Sequence, residues 1–306
     1  MVVVVAVILI IAQGLYHRGQ ETHYRRRCRA VILGTMKVAC VQMNSGADKA
    51  ANVAAAAELV RRAAAAGARL VVLPETWTFK GGRDGFAAAA EAADGPSNTV
   101  LAGLAAELGV YVLAGSIYEV SERPDRFFNT SVLFDPAGTA VAVYRKIHLF
   151  DAVAGAKVYR ESDDLLPGEA LVTAQVDDLA VGLTICYDLR FPELYRGLAL
   201  RGARLLLVPS AFTEATGRDH WEVLLRARAI ENGCFVAAAG QWGVHAGDRL
   251  CHGRSMIVDP WGVVLAVAAD GVGLCVAELD LGAVERVRRQ LPVLDHRRPG
   301  LYRSWE

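Results

Sequence analysis

The feature that most constrains the fold is a repeated switch between two periodicities. From Met36 onward, short β-prone apolar runs alternate with longer helical stretches. Val38–Met43, Leu70–Leu73, Val110–Ser116, Thr130–Phe134 and Ala140–Arg145 read as strands in the first half. Leu179–Ile185, Leu205–Pro209, Cys234–Ala239, Ser255–Asp259, Val263–Val267 and Leu274–Asp280 do so in the second. Helical patterns fill Asp48–Ala66, Thr99–Leu108, Glu193–Arg201, His220–Asn232 and Leu281–Gln290. Alternation of this kind predicts an α/β fold built from packed layers. Strands outnumber helices, and tight turns at 135–138 and 259–262 join several of them. Mixed sheets are therefore expected rather than one purely parallel sheet. Residues 36–290 show no linker or break in composition, so one domain is predicted to begin at Met36 and run to the end, 36–306.

The chain has 306 residues, 53% of them hydrophobic, and a formal net charge of zero. That composition supports a large core and argues against a disordered chain. It lacks the basic excess of a nucleic-acid binder. Six cysteines, at 28, 40, 186, 234, 251 and 275, are scattered with no CxxC pair. Zinc and disulfide frameworks are therefore poorly supported, and a reducing cytoplasm fits best. Residues 1–35 stand apart: an apolar run, MVVVVAVILIIA, precedes a basic patch, HYRRRCR. Twelve apolar residues are too few for a membrane-spanning helix, and the order of charge is wrong for a secretory signal. This N-terminal extension is expected to be inert or to lie upstream of the organised sequence; a short membrane-associating anchor is the other reading. No integral membrane span is expected.

Ligand sites in α/β sheets gather outside the carboxyl ends of strands. Three of the predicted strands end on residues that carry chemistry. Glu75 follows Leu70–Leu73, Lys146 follows Ala140–Arg145, and Cys186 follows the apolar run that ends at Ile185. Singly, each has a plain structural reading: Glu75 as a helix cap, Lys146 as a surface lysine, Cys186 as a small core hydrophobe. Together they form a base, a cation and a nucleophile. A carboxylate whose pKa is raised by burial can take the thiol proton. An ammonium can stabilise the oxyanion formed when sulfur attacks a carbonyl or nitrile carbon. The backbone N–H of Tyr187, just past the cysteine, is a second candidate oxyanion donor.

Three ordered segments, LPETW (73–77), YRKIHLF (144–150) and ICYDLRFPEL (185–194), resemble the Glu–Lys–Cys motifs of the nitrilase, or carbon–nitrogen hydrolase, superfamily. HWEVLLRARAIENGCFV (220–236), HGRSMIVDPWG (252–262) and LPVLDHRRPGLY (291–302) extend the likeness. Within the superfamily the sequence is most similar to the deaminated-glutathione amidase and ω-amidase branch. The resemblance implies an α-β-β-α four-layer sandwich, usually a homodimer. It implies Glu75 as general base, Lys146 as transition-state stabiliser and Cys186 as nucleophile. Glu161, in ESDDLLPG, takes the role of a second glutamate that orients the lysine. Arg190 is implied to grip a substrate carboxylate, with Phe212 and Thr216 lining the same pocket. Arg190 paired with Asp188 or Glu193 is the structural alternative. His148, His220 and His252 leave a Cys–His pair open, though Glu75 and Lys146 make one unnecessary.

The reaction expected is hydrolysis of the terminal carboxamide of a small acidic metabolite to a carboxylate and ammonia through a thioester. Deaminated glutathione is the foremost candidate. α-Ketoglutaramate, an N-carbamoyl compound or a nitrile are the enzymatic alternatives, and a non-catalytic interaction protein is the remote one. The expected partner is a small amide bearing a carboxylate. No cofactor and no metal are required.

Overall fold

The structure, a computed structural model, describes residues 34–302. The reading of the N-terminal extension falls outside that range, apart from its last two residues. Two sheets carry the fold. The first has seven strands: β1 (Thr35–Gln42), β2 (Leu70–Val72), β3 (Tyr111–Leu113), β4 (Ile117–Val120), β5 (Phe127–Phe134), β6 (Ala140–Arg145) and, at its edge, β17 (Gly273–Asp280). Its order is β17-β1-β2-β3-β5-β4, with β6 also pairing β5. β1, β2 and β3 are parallel, while β17 runs antiparallel to β1 along its whole length. The second sheet has the order β16-β15-β12-β11-β10-β9. Its strands are β9 (Thr173–Val176), β10 (Leu179–Leu183), β11 (Leu205–Ser210), β12 (Phe235–Gly240), β15 (Met256–Val258) and β16 (Val264–Val267). Both sheets are mixed, as the tight turns predict.

Alternation along β1 explains the layering. Ala39 and Val41 point to one face, where they join Ala56, Leu59 and Val60 of α1 (Lys49–Ala65) and Leu101 and Leu104 of α2 (Pro96–Leu108) in one buried cluster. Each such valine or leucine contributes about 1.5–3 kcal/mol when fully buried, and each alanine less. Cys40 and Gln42 point the other way, toward the second sheet. The Gln42 Oε1 accepts the Ser255 N–H at 2.9 Å, and the Cys40 thiol faces the Met256 carbonyl. On the outer side of the second sheet lie α3 (Pro192–Leu200) and α4 (Glu214–Asn232). Gly182 of β10 lets α3 approach: a Cβ there would meet the Leu198 side chain at 3.1 Å. The result is helix, sheet, sheet, helix. Helix α5 (Ala283–Gln290) follows β17, and a single helical turn, Pro299–Tyr302, comes after it.

Three features depart from the sequence reading. The run Val110–Ser116 is strand only over Tyr111–Leu113 (β3) and breaks off before β4, where Gly115 adopts φ +49. A Cβ at Gly115 would lie 2.0 Å from the Pro74 carbonyl oxygen, so only glycine lets the chain pass behind Glu75. Two single strands, β4 and β9, and two hairpins escaped the strand reading, the hairpins being β7–β8 (Asp151–Ala154 and Lys157–Arg160) and β13–β14 (Trp242–His245 and Arg249–His252). α4 begins at Glu214, six residues before the expected His220. Among the described residues no helix is long and apolar enough to cross a membrane.

Candidate active site

Glu75 and Cys186 line one cavity of about 310 Å³ at the strand ends, and Lys146 lies buried directly behind its wall, on Glu75 and Glu161. Glu75 leaves β2 through Pro74, and Thr76 behind it takes φ +47, which turns the chain sharply. Its carboxylate is buried and accepts three hydrogen bonds. Asn129 Nδ2 and Lys146 Nζ donate to Oε1 at 2.8 and 2.9 Å, and the Ala211 N–H donates to Oε2 at 2.7 Å. Lys146, the residue after β6, is fully buried. Its ammonium also donates to Glu161, at 2.8 Å to Oε2 and 3.1 Å to Oε1. The Phe150 N–H holds Glu161 Oε2 from the other side at 2.8 Å. Lys146 is thus bracketed by two carboxylates, which is what makes a buried ammonium tolerable.

Cys186 opens a 3-10 turn, Cys186–Arg190, at φ +47. A non-glycine residue held in the left-handed region marks stored backbone strain, which clusters at functional sites. The turn lifts the thiol out of the sheet and directs Cys186 and Tyr187 to the cavity wall.

The ionisation pattern differs from the sequence expectation at Glu75. Burial works to raise its pKa, but the charges of Lys146 and Lys80 outweigh it and hold the carboxyl below its ordinary value. Three donors and a cation favour the ionised form. Burial pushes the Cys186 thiol well above its ordinary value; the Glu75 charge adds to this, and Lys146 offsets only part. Burial opposes the Lys146 charge, yet Glu161 and Glu75 carry its pKa well above the usual lysine value. The resting site is therefore carboxylate, ammonium and neutral thiol.

The other expected residues fall on the same cavity. Arg190 lies over the Phe212 ring at 5.1 Å and the Tyr187 ring at 5.9 Å, with His220 Nδ1 3.2 Å from its Nη1. Among the described residues no carboxylate lies within ion-pair distance of Arg190, so the pairing with Asp188 or Glu193 is absent. Phe212 and Thr216 line the wall, Thr216 bonded to Thr213 at 2.8 Å. His148, His220 and His252 do not line it; His252 instead sits on Glu214 at 2.7 Å. Among the described residues no group of three or more His, Cys, Asp or Glu is placed to hold a metal. Sequence reasoning missed Asn129, Lys80 and Arg249. Asn129 is named by its place in the sheet alone: it lies on β5, a strand buried along nearly all its length, where a polar residue needs a partner.

A four-layer sandwich with a carboxylate, an ammonium and a thiol converging at its strand ends defines the nitrilase class of α/β protein. The chain belongs to the carbon–nitrogen hydrolase family, whose sequence profile matches residues 37–289. It is 44% identical over 272 residues to the human protein named deaminated glutathione amidase, covering 87% of this chain and 83% of that one. It is 39% identical over 269 residues to human omega-amidase NIT2, covering 88% and 97%. The crystal structure of Saccharomyces cerevisiae Nit3, a member of branch 10 of the nitrilase superfamily, matches with a TM-score of 0.79 at 33% identity, covering 88% of this chain and 99% of that one.

Proposed function

We propose that this protein is an amidase in which Cys186 is the nucleophile, Glu75 the general base and Lys146 the oxyanion stabiliser. The observation that carries the reading is the buried Lys146 ammonium bridging Glu75 and Glu161 beside the Cys186 thiol. Glu75 is ionised and the thiol is neutral, so the proton leaves sulfur as the S–C bond forms, not beforehand. Glu75 takes that proton and delivers it to the departing amine nitrogen. Lys146 and the Tyr187 N–H receive the developing oxyanion in a site shielded from water. A thioester on Cys186 remains. Glu75 then removes a proton from water, which attacks the thioester, and the acid leaves. Glu161 holds Lys146 in place and keeps it charged.

The substrate proposed is an acidic amide of the deaminated-glutathione kind. Arg190, Lys80 and Arg249 all line the cavity, and among the described residues none has a carboxylate within ion-pair distance. Cations left open in this way attract carboxylates, the two guanidinium groups in bidentate fashion and Lys80 as a point charge. The names of the similar human proteins point in the same direction. One expectation needs refinement on chemical grounds. Ammonia is the leaving group only for a primary ω-amide such as α-ketoglutaramate. In deaminated glutathione the scissile bond is a secondary amide and the leaving group is a dipeptide amine. Turnover of both compounds side by side, reading ammonia and amine separately, distinguishes the two. Cys186→Ala is expected to abolish turnover of whichever is accepted, by several orders of magnitude. Undiminished turnover in that variant would end the reading. A cytoplasmic location is supported by five free cysteines. A homodimer is supported by the apolar face at the sheet edge, where Trp261, Leu265 and Val267 are exposed; sedimentation at micromolar concentration tests it.

A further inference from the structure

Asp188 stands two residues past the cysteine, fully buried, and does not line the cavity. Among the described residues no lysine or arginine lies within ion-pair distance of it. Four contacts meet its carboxylate instead. Oδ2 accepts from the Tyr144 hydroxyl at 2.6 Å and from the Ile185 N–H at 2.8 Å. Oδ1 accepts the His148 N–H at 3.1 Å and faces His148 Nδ1 at 2.8 Å. An ionised carboxylate offers about four lone-pair sites, so its capacity is used in full. The Tyr144 hydroxyl stays a donor, because burial and the Asp188 charge push its pKa far up.

The positions of these donors matter more than their number. Tyr144 is two residues before Lys146 and His148 two residues after it. Ile185 directly precedes Cys186. One carboxylate therefore ties the exit of β6, which carries the cation, to the turn that carries the thiol. The His148 ring is in turn fixed by stacking on Phe191, at 3.6 Å between centroids and 6° between planes. Phe191 closes the same 3-10 turn.

We infer that Asp188 is a positioning residue for the amidase reaction: by tethering both segments it sets the separation of Lys146 from Cys186, and so where the oxyanion forms between them. The inference rests on the amidase reading above. An asparagine keeps the shape of Asp188 but not its capacity. Its NH2 group must face either the Ile185 N–H or the His148 N–H. The tyrosine hydroxyl can turn and the imidazole can change tautomer, but a backbone N–H cannot become an acceptor, so one arm of the tie opens.

The test compares wild type with Asp188→Asn and Tyr144→Phe, the milder change, which removes one donor and leaves the charge. Four quantities are measured: kcat, KM, melting temperature, and the rate at which iodoacetamide alkylates Cys186, followed by mass spectrometry. Asp188→Asn is expected to lower kcat about 10²-fold with KM changed less than about threefold, the pattern of lost alignment. Tyr144→Phe is expected to lower kcat about tenfold. Both should change the alkylation rate at least about threefold, because the thiol is presented differently. Asp188→Glu, which keeps the charge but overshoots the four donors, should not restore kcat. A kcat and an alkylation rate per folded molecule within about twofold of wild type in Tyr144→Phe and in any folded Asp188→Asn would overturn the inference. So would a loss of activity that only follows the loss of folded protein. If wild type hydrolyses no amide, the amidase reading has failed, and the alkylation rates alone decide the tether.

Discussion

Glu75 stays ionised although it is buried, because three donors and two lysine charges outweigh desolvation. A base already deprotonated at rest is ready for a proton at any pH above its own pKa. The acid limb of kcat/KM should therefore lie below pH 4.5, the ordinary glutamate value, and not near neutrality. A pH–rate profile between pH 3 and 8 (roughly the carboxylate-to-neutral range) checks this; an acid limb near pH 6 would require a different base. Arg190 poses a separate question of binding. It faces the cavity between aromatic rings, with no carboxylate partner among the described residues. Arg190→Lys loses the bidentate fork and is expected to raise KM for acidic amides about tenfold or more, with kcat nearly kept. Steady-state kinetics on an acidic and a neutral amide separates the two, since the neutral one should be unaffected. Glu75, Lys146 and Cys186 were legible because each follows an apolar run. Asp188 and Asn129 were not, because their significance lies in partners far off in sequence: Tyr144 and His148 for Asp188, and Glu75 for Asn129.

The elements that deliver the site were read well where burial made them plain. β6 matches its expected limits residue for residue, and β2 and β10 differ only at their ends. Besides β4 and β9, the reading missed the two hairpins that wall the cavity. Their strands are four residues long and half exposed, so no apolar run announces them. The signal available was alternation around a glycine in DAVAGAKVYR. The hairpin tips are joined: Lys157 Nζ donates to the Gly247 carbonyl at 2.6 Å and also to that of Asp248. Arg249 lies over the Tyr159 ring at 5.7 Å. Tyr159, Arg249 and Leu250 all line the cavity, so this clasp shapes its wall. Lys157→Ala should leave global stability within about 1 kcal/mol, as expected for a half-buried side chain at a hairpin tip, away from the core. It should speed amide hydrogen exchange across residues 151–160 and 242–252 and raise KM for acidic amides. Unchanged exchange in both hairpins would show that the clasp contributes nothing to their order.

At the scale of the whole molecule, the sandwich encloses an ion cluster that neither sheet could hold alone. Glu75 comes from the first sheet's strand ends, while its Oε2 is held by the Ala211 N–H just past β11 of the second. Its burial is thus a property of sheet packing, and its ionisation links packing to pH. The folded pKa of Glu75 lies below its ordinary value, so the stability it contributes is present above pH 4.5 and lost as pH falls through the folded value. The folded pKa of Lys146 lies well above 10.5, so its contribution is present below pH 10.5 and lost only as pH rises beyond it. Between about pH 5 and 8 the cluster should therefore hold melting temperature level. Glu75→Gln removes the titrating group and leaves Lys146 with Glu161 alone. Its NH2 must also face either the Lys146 and Asn129 donors or the Ala211 N–H. Stability at neutral pH should fall by about 1–3 kcal/mol, the cost of an unsatisfied buried group, and melting temperature should fall with it. Below pH 4.5 the variant should lose stability less steeply than wild type, because one proton-linked contribution is gone. Thermal melts of both proteins from about pH 3 to 7, the range over which carboxylates titrate, measure the difference. Parallel curves throughout would place the acid sensitivity in other carboxylates and detach Glu75 from the stability of the sandwich.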